Sequence, residues 1–129
     1  MPTGSALSLV FSRSSGQVIV HLHGALDALT AHQLSDRLAD LIGGQGNRQV
    51  VLELAGLTHI DAVGLSVLID ALKSVRDIGG ELVLSGLTSG VHRTFEAAGV
   101  DKLFFITPAW MHPANGSSGA DDWRRHEAQ

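Results

Sequence analysis

Asp61, followed by Ala62, Val63 and Gly64, stands where an apolar run ends and a helical repeat begins, and this junction is the part of the chain best equipped for chemistry. The N-H groups that open a helix lack partners within it, and the helix dipole places about half a positive charge there. Asp61 can cap those donors. The residue after the cap then decides what the site can do: a hydroxyl could accept a phosphoryl group, whereas the methyl of Ala62 cannot. Ser66, one turn further on, and Thr58, ahead of the cap, are the candidates for a displaced acceptor, although hydroxyls on a second helical turn usually only satisfy local backbone groups. His59, beside the cap, could contact a partner.

The remaining chemistry-bearing residues support less. Asp27 and Asp61 could be imagined as paired carboxylates for acid and base work, but no nucleophile or oxyanion donor set accompanies them. Both read as turn and cap residues, and no catalytic residue is assigned. His21-x-His23 would set two imidazoles on one strand face, yet no third ligand follows at a fixed spacing, so no metal is expected. Gly43-Gly44-Gln45-Gly46-Asn47 lacks the Lys-Ser/Thr ending of a phosphate cradle and reads as a loop, so no cofactor is expected either. Anion binding at the Asp61 junction, by a nucleotide or small ligand, stays open because helix N-termini suit anions generally.

These residues need elements to hold them. Residues 7–12 and 17–23 are short β-rich runs joined by polar Arg13-Ser14-Ser15-Gly16, which predicts an antiparallel hairpin. In the second run Val18, Val20 and Leu22 share one face and Ile19, His21 and His23 the other, as in a half-buried strand. Thr30-Ala31-His32-Gln33 has capping-box spacing, and Leu34, Leu38, Leu41 and Ile42 follow at helical intervals until Gly43-Gly44. A strand is expected over 49–54 and a helix over 63–78, with Leu65, Leu68, Ile69, Leu72 and Val75 on one stripe. Burying those side chains stabilises by roughly 7 to 15 kcal/mol before entropy is subtracted, which places the stripe in the core. A strand over 81–85, a helix capped near Ser89 and ended by Gly99, and a last strand over 103–106 complete the order β-β-α-β-α-β-α-β. The expected fold is α/β, a mixed sheet of four to five strands with helices mainly on one face.

With 129 residues, the chain suits one domain over 1–106 and a flexible tail over 107–129 that contains Pro113 and Asn115-Gly116-Ser117-Ser118-Gly119. Trp110 and Trp123 fall in that tail, where aromatic residues more often dock on their own domain or on a second subunit, as in a homodimer, than form a binding motif. Hydrophobic residues make up 44% and charged residues 17%, a globular composition. The absence of Cys excludes disulfides and thiolate metal sites and suits the cytoplasm. Residues 1–15 show no basic head followed by a long apolar run and no stretch approaches the roughly 18 apolar residues of a membrane span, so neither a secretory leader nor a span is expected. A net charge of -4, with no basic cluster larger than Arg124-Arg125, argues against direct nucleic-acid binding.

Three motifs carry a family resemblance. Gly24-Ala25-Leu26-Asp27-Ala28-Leu29-Thr30-Ala31, the stretch from Leu57 through Leu68, and Gly99-Val100-Asp101-Lys102-Leu103-Phe104 resemble the STAS domain of bacterial anti-sigma factor antagonists, over about residues 6–106. The first looks like the family's Gly-x-Leu-Asp turn, the second like its Asp-Ser-x-Gly-Leu helix start, and the third like its closing Gly-Leu-Asp-x-Leu-Phe run. The resemblance implies a non-enzymatic module that regulates transcription by sequestering an anti-sigma factor. That partner is usually a kinase of the histidine-kinase ATPase fold, which phosphorylates the Ser of the second motif. Asp27, Asp61, Gly64 and Leu65 match the pattern, but Ala62 stands where the phosphorylated Ser would be and Val63 where a second small polar residue is common. The implied partner surface comprises Asp27, Ala28, Thr30, His59, Asp61, Ala62, Val63, Gly64 and Leu65, fixed in its uncharged form. The alternative within the family is an accessory subunit of a lipid-exporting or anion-transporting membrane complex.

Overall fold

The computed structural model describes residues 6–108. Strands β1 (Leu7–Ser14) and β2 (Gln17–Leu26) form the expected hairpin, but its connection is tighter than the sequence suggests. Only Ser15 and Gly16 turn the chain, both at positive φ (51° and 81°), the two-residue geometry that matches the strands' own twist. Helix α1 (Ala31–Ala39) leads to β3 (Gln49–Ile60), α2 (Ala62–Asp77) to β4 (Glu81–Leu87), and α3 (Ser89–Ala97) to β5 (Phe105–Pro108). The sheet has five strands in the order β1-β2-β3-β4-β5, with β1 antiparallel to β2 and every other pair parallel. Each parallel connection steps one strand in the same direction, so right-handed crossovers bring all three helices to one face.

The core lies between that face and the helices. Val18, Val20 and Leu22 of β2 align with Val50, Leu52 and Leu54 of β3 and with Leu82 and Leu84 of β4, all buried. Leu34 and Leu38 of α1, Leu68, Leu72 and Val75 of α2, and Val91 and Phe95 of α3 close over them. Phe95 meets Phe104 edge to face, with ring centroids 5.7 Å apart.

Several boundaries differ from the sequence expectation, and each difference has a local cause. β2 and β3 run on to Leu26 and Ile60, past the expected ends at 23 and 54. Register shifts between His21 and His23 and between Gly24 and Ala25 keep the strands paired where strict alternation breaks down. Buried positions on β3 therefore fall at 50, 52, 54, 57 and 60, so Thr58 and His59 belong to a strand and not to a loop. Thr30 does not make the expected capping box, because its side chain caps nothing. The α1 end is a π-helical turn over Asp40–Gly44 that takes in Gly43 and Gly44 instead of stopping before them. A 3-10 turn, Asp101–Leu103, occupies the start of the expected last strand, and β5 extends to Pro108, past the expected strand end at 106; the expected tail from 109 on lies outside the described residues.

Thr88, and not Ser89, caps α3: its hydroxyl accepts from the N-H of Val91 at 3.3 Å. Thr88→Ala is expected to destabilise the fold by about 1 kcal/mol, seen as a lower urea midpoint with unchanged slope.

Candidate functional site

The carboxyl ends of β2 and β3 and the start of α2 meet at Asp61. Its Oδ1 accepts from the N-H of Gly64 at 2.9 Å, which makes it the N-cap of α2. Its Oδ2 accepts from the N-H of Ala28 at 3.2 Å, which ties the helix to the turn between β2 and α1. Its own N-H donates to the Leu26 carbonyl at 3.2 Å. One side chain thus couples two segments 33 residues apart in sequence.

Gly64 makes this approach feasible. A Cβ there would sit 2.5 Å from the Leu26 carbonyl oxygen and 2.9 Å from Leu26 Cγ, so any side chain would force the helix off the sheet. The glycine of the motif is therefore a packing requirement at the point where α2 crosses the end of β2. Leu65, also buried, anchors the same turn in the core.

The adjoining turn is held by Asp27. Its Oδ1 accepts from the N-H groups of Leu29 (3.0 Å) and Thr30 (3.3 Å), which fixes the turn ahead of α1 and leaves the helix itself without a side-chain cap. Thr30 is 2% exposed. Its hydroxyl donates to the Ala25 carbonyl at 2.7 Å and accepts from the Asp27 N-H at 3.0 Å, so it shapes the turn from beneath and presents no atom to a partner.

The structure therefore sorts the expected surface into two groups. Ala28, His59, Ala62 and Val63 are exposed and Asp27 and Asp61 half-buried, whereas Thr30, Gly64 and Leu65 are buried supports. The sequence reading missed Leu29, which is 63% exposed and stands beside the Asp61-bonded Ala28. The signal was present: with Asp27 holding the turn, Leu29 falls on its outward side. With Val63, 44% exposed, it gives the site apolar flanks.

Both candidate displaced acceptors are engaged with backbone. The Ser66 hydroxyl donates to the Val63 carbonyl at 2.6 Å, and that of Thr58 to the Gly24 carbonyl at 3.0 Å. Among the described residues no cluster of three or more His, Cys, Asp or Glu side chains could hold a metal ion, and His21 and His23 lie on the sheet face away from the helices. A cleft of about 480 Å³ at the opposite end of the strands is lined by Phe11, Arg13, Arg37 and Asp40 among others, with the Arg37 guanidinium 5.0 Å from the centre of the Phe11 ring. It shares no residue with the Asp61 junction.

What the junction offers is a set of exposed apolar side chains, Leu29, Ala62 and Val63, beside carboxylates that accept from the protein's own N-H groups. Apolar side chains with little uncompensated charge beside them suit a recognition surface. Comparison with known proteins agrees with the geometry. The pattern of the STAS domain matches residues 9–115. BtrV of Bordetella bronchiseptica, named as a candidate anti-sigma factor antagonist, is 35% identical over 98 residues, covering 76% of this chain and 84% of BtrV. The anti-sigma-B factor antagonist of Listeria monocytogenes is 31% identical over 96 residues, 73% of this chain and 82% of its own. The crystal structure of an anti-sigma factor antagonist from Mycobacterium paratuberculosis shares the fold, with a TM-score of 0.72 over 80% of this chain and 86% of that one at 19% identity. By its sequence pattern, its sheet order and the Asp61-capped start of α2, this chain belongs to the STAS domain family.

Proposed function

We propose that this chain is an anti-sigma factor antagonist that acts in the cytoplasm by protein-protein contact, without an enzymatic step, and so regulates transcription. Its partner in this reading is an anti-sigma factor of the histidine-kinase-like ATPase fold, docked on the start of α2 and the Asp27 turn. The observation that carries the reading is the exposed methyl of Ala62 directly after a fully engaged Asp61 cap, flanked by exposed Leu29 and Val63. The names of similar proteins support the general role. Among the described residues no helix is long and apolar enough to cross a membrane.

Ala62 also sets the regulation. A phosphoserine at this position would add a charge of about -1.5 to -2, favoured by the helix dipole by about 0.3 to 1 kcal/mol. Opposite a partner carboxylate about 4 Å away, each unit charge is repelled by about 4 kcal/mol at an effective dielectric of 20. Repulsion outweighs the dipole, and with Ala62 neither term arises. The surface is then permanently competent to bind.

The test is affinity capture of a kinase-type anti-sigma factor by the wild-type protein and by Ala62→Ser, each with and without ATP. The wild type is expected to hold the partner equally in both conditions, and the Ser variant to release it when ATP is supplied. Release of the wild type with phosphate on Ser66 or Thr58 would overturn the permanently competent surface. Capture of an ATP-binding cassette transport subunit in place of a sigma regulator would assign the accessory-subunit role instead.

A further inference from the structure

The sheet face turned away from the helices carries an apolar row that the described residues leave uncovered. Ile19, Val51, Val83 and Phe105 stand side by side on β2, β3, β4 and β5 in direct register. They alternate with the buried core positions and so point to the opposite side. Phe105 is 62% exposed, although its neighbour Phe104 is buried. Val10, 52% exposed, adds a side chain on β1 of the same face. An aromatic ring left in water at the open edge of a sheet is a liability that native folds usually cover.

The geometry points to the chain's own C-terminal segment, residues 109–129, as the cover: its tryptophans pack on the Ile19–Val51–Val83–Phe105 row. That segment continues directly from Pro108, three residues beyond Phe105, at the β5 edge where the row ends. Both tryptophans of the chain, Trp110 and Trp123, lie in it. Trp110 follows Phe105 by five positions, a length that even a fully extended chain covers in about 17 Å. The row crosses four strands, about 14 Å at about 4.8 Å per step. Trp123 follows Trp110 by thirteen positions, and a Gly/Ser-rich stretch of that length has a root-mean-square span of about 20 Å. That span exceeds the width of the row, so the chain is long enough for both indoles to reach it.

Mass action favours this occupant over a second copy of the chain. A covalent connection of a few residues gives an effective concentration on the order of millimolar, which a second copy in dilute solution does not reach. The row also lies on the face opposite the helices, so covering it leaves the start of α2 free to bind.

Intrinsic fluorescence of the full chain tests this directly, because residues 6–108 contain no tryptophan and all indole emission reports the C-terminal segment. The expected result is an emission blue-shifted from that of free tryptophan in the same buffer, protected from iodide, and unchanged on dilution across a hundredfold range. Phe105→Thr, a change at an exposed position, should move the emission back toward free tryptophan with an unaltered far-ultraviolet circular dichroism spectrum. Val83→Thr, further along the row, should do the same and serves if the first variant is misfolded. Emission of free tryptophan in the wild type would overturn the proposal. So would a blue shift that appears only on concentrating the protein together with a doubling of mass, which would assign the face to a second copy. A blue shift that survives both substitutions would place the indoles elsewhere and overturn it equally.

Discussion

Replacing Ala62 by Glu is expected to weaken the binding of a kinase-type anti-sigma factor by about a hundred- to a thousandfold while leaving the fold slightly more stable. The two effects have opposite signs because they act on different partners. Within the chain, a carboxylate in the first turn of α2 sits at the positive end of the helix dipole and gains about 0.3 to 1 kcal/mol. Across an interface, one added negative charge about 4 to 6 Å from a partner carboxylate is repelled by about 3 to 4 kcal/mol at an effective dielectric of 20, which converts to the stated factor. Ala62 is exposed, so the Glu side chain fits without disturbing the core. Titration calorimetry and thermal melts on the same two proteins separate the effects. A variant that binds as tightly as wild type would remove the α2 start from the interface.

Asp61→Ala is expected to lower stability by about 2.5 kcal/mol, well beyond an ordinary cap deletion. Loss of an N-cap alone costs about 1 kcal/mol. Asp61 carries a second attachment, from Oδ2 to the N-H of Ala28, and hydrogen bonds to a charged group contribute about 1.5 to 3 kcal/mol each. The lower end applies here because the carboxylate is only half-buried. Asp61→Asn keeps an acceptor for the helix and should retain most of the cap contribution. Denaturant melts of the two variants check the arithmetic. If Asp61→Ala fell within about 0.5 kcal/mol of wild type, the bridge to Ala28 would have no structural weight. Partner binding offers a second reading of the same variant, because without the bridge the Asp27 turn and α2 are no longer held in one surface.

Much of the site was legible because it depends on local rules. Asp61 before an apolar helical repeat announces a cap whatever surrounds it, and the Asp61 to Gly64 hydrogen bond lies where that rule places it. The identity of residue 62 needs no structure at all. Other roles depended on segments distant in sequence. The requirement for glycine at 64 comes from the end of β2, which no reading of the α2 sequence could supply. The burial of Thr30, the turn held by Asp27 and the exposure of Leu29 follow from one another. The capping-box spacing misled because the turn closes on a hydroxyl directed inward to the Ala25 carbonyl.

The sequence by itself determined the element order, the alternation that assigns β2 a buried and an open face, the apolar stripe of α2 and the absence of a hydroxyl after its cap. These are carried by periodicity and residue chemistry, which act over a few neighbouring positions. Only the tertiary structure decided that β3 continues through Thr58 and His59, that a single carboxylate fastens α2 to the β2–α1 turn, and that an apolar row crosses the far face of the sheet. Each of those arises from pairing between strands, where bulges shift the register and side chains distant in sequence become neighbours.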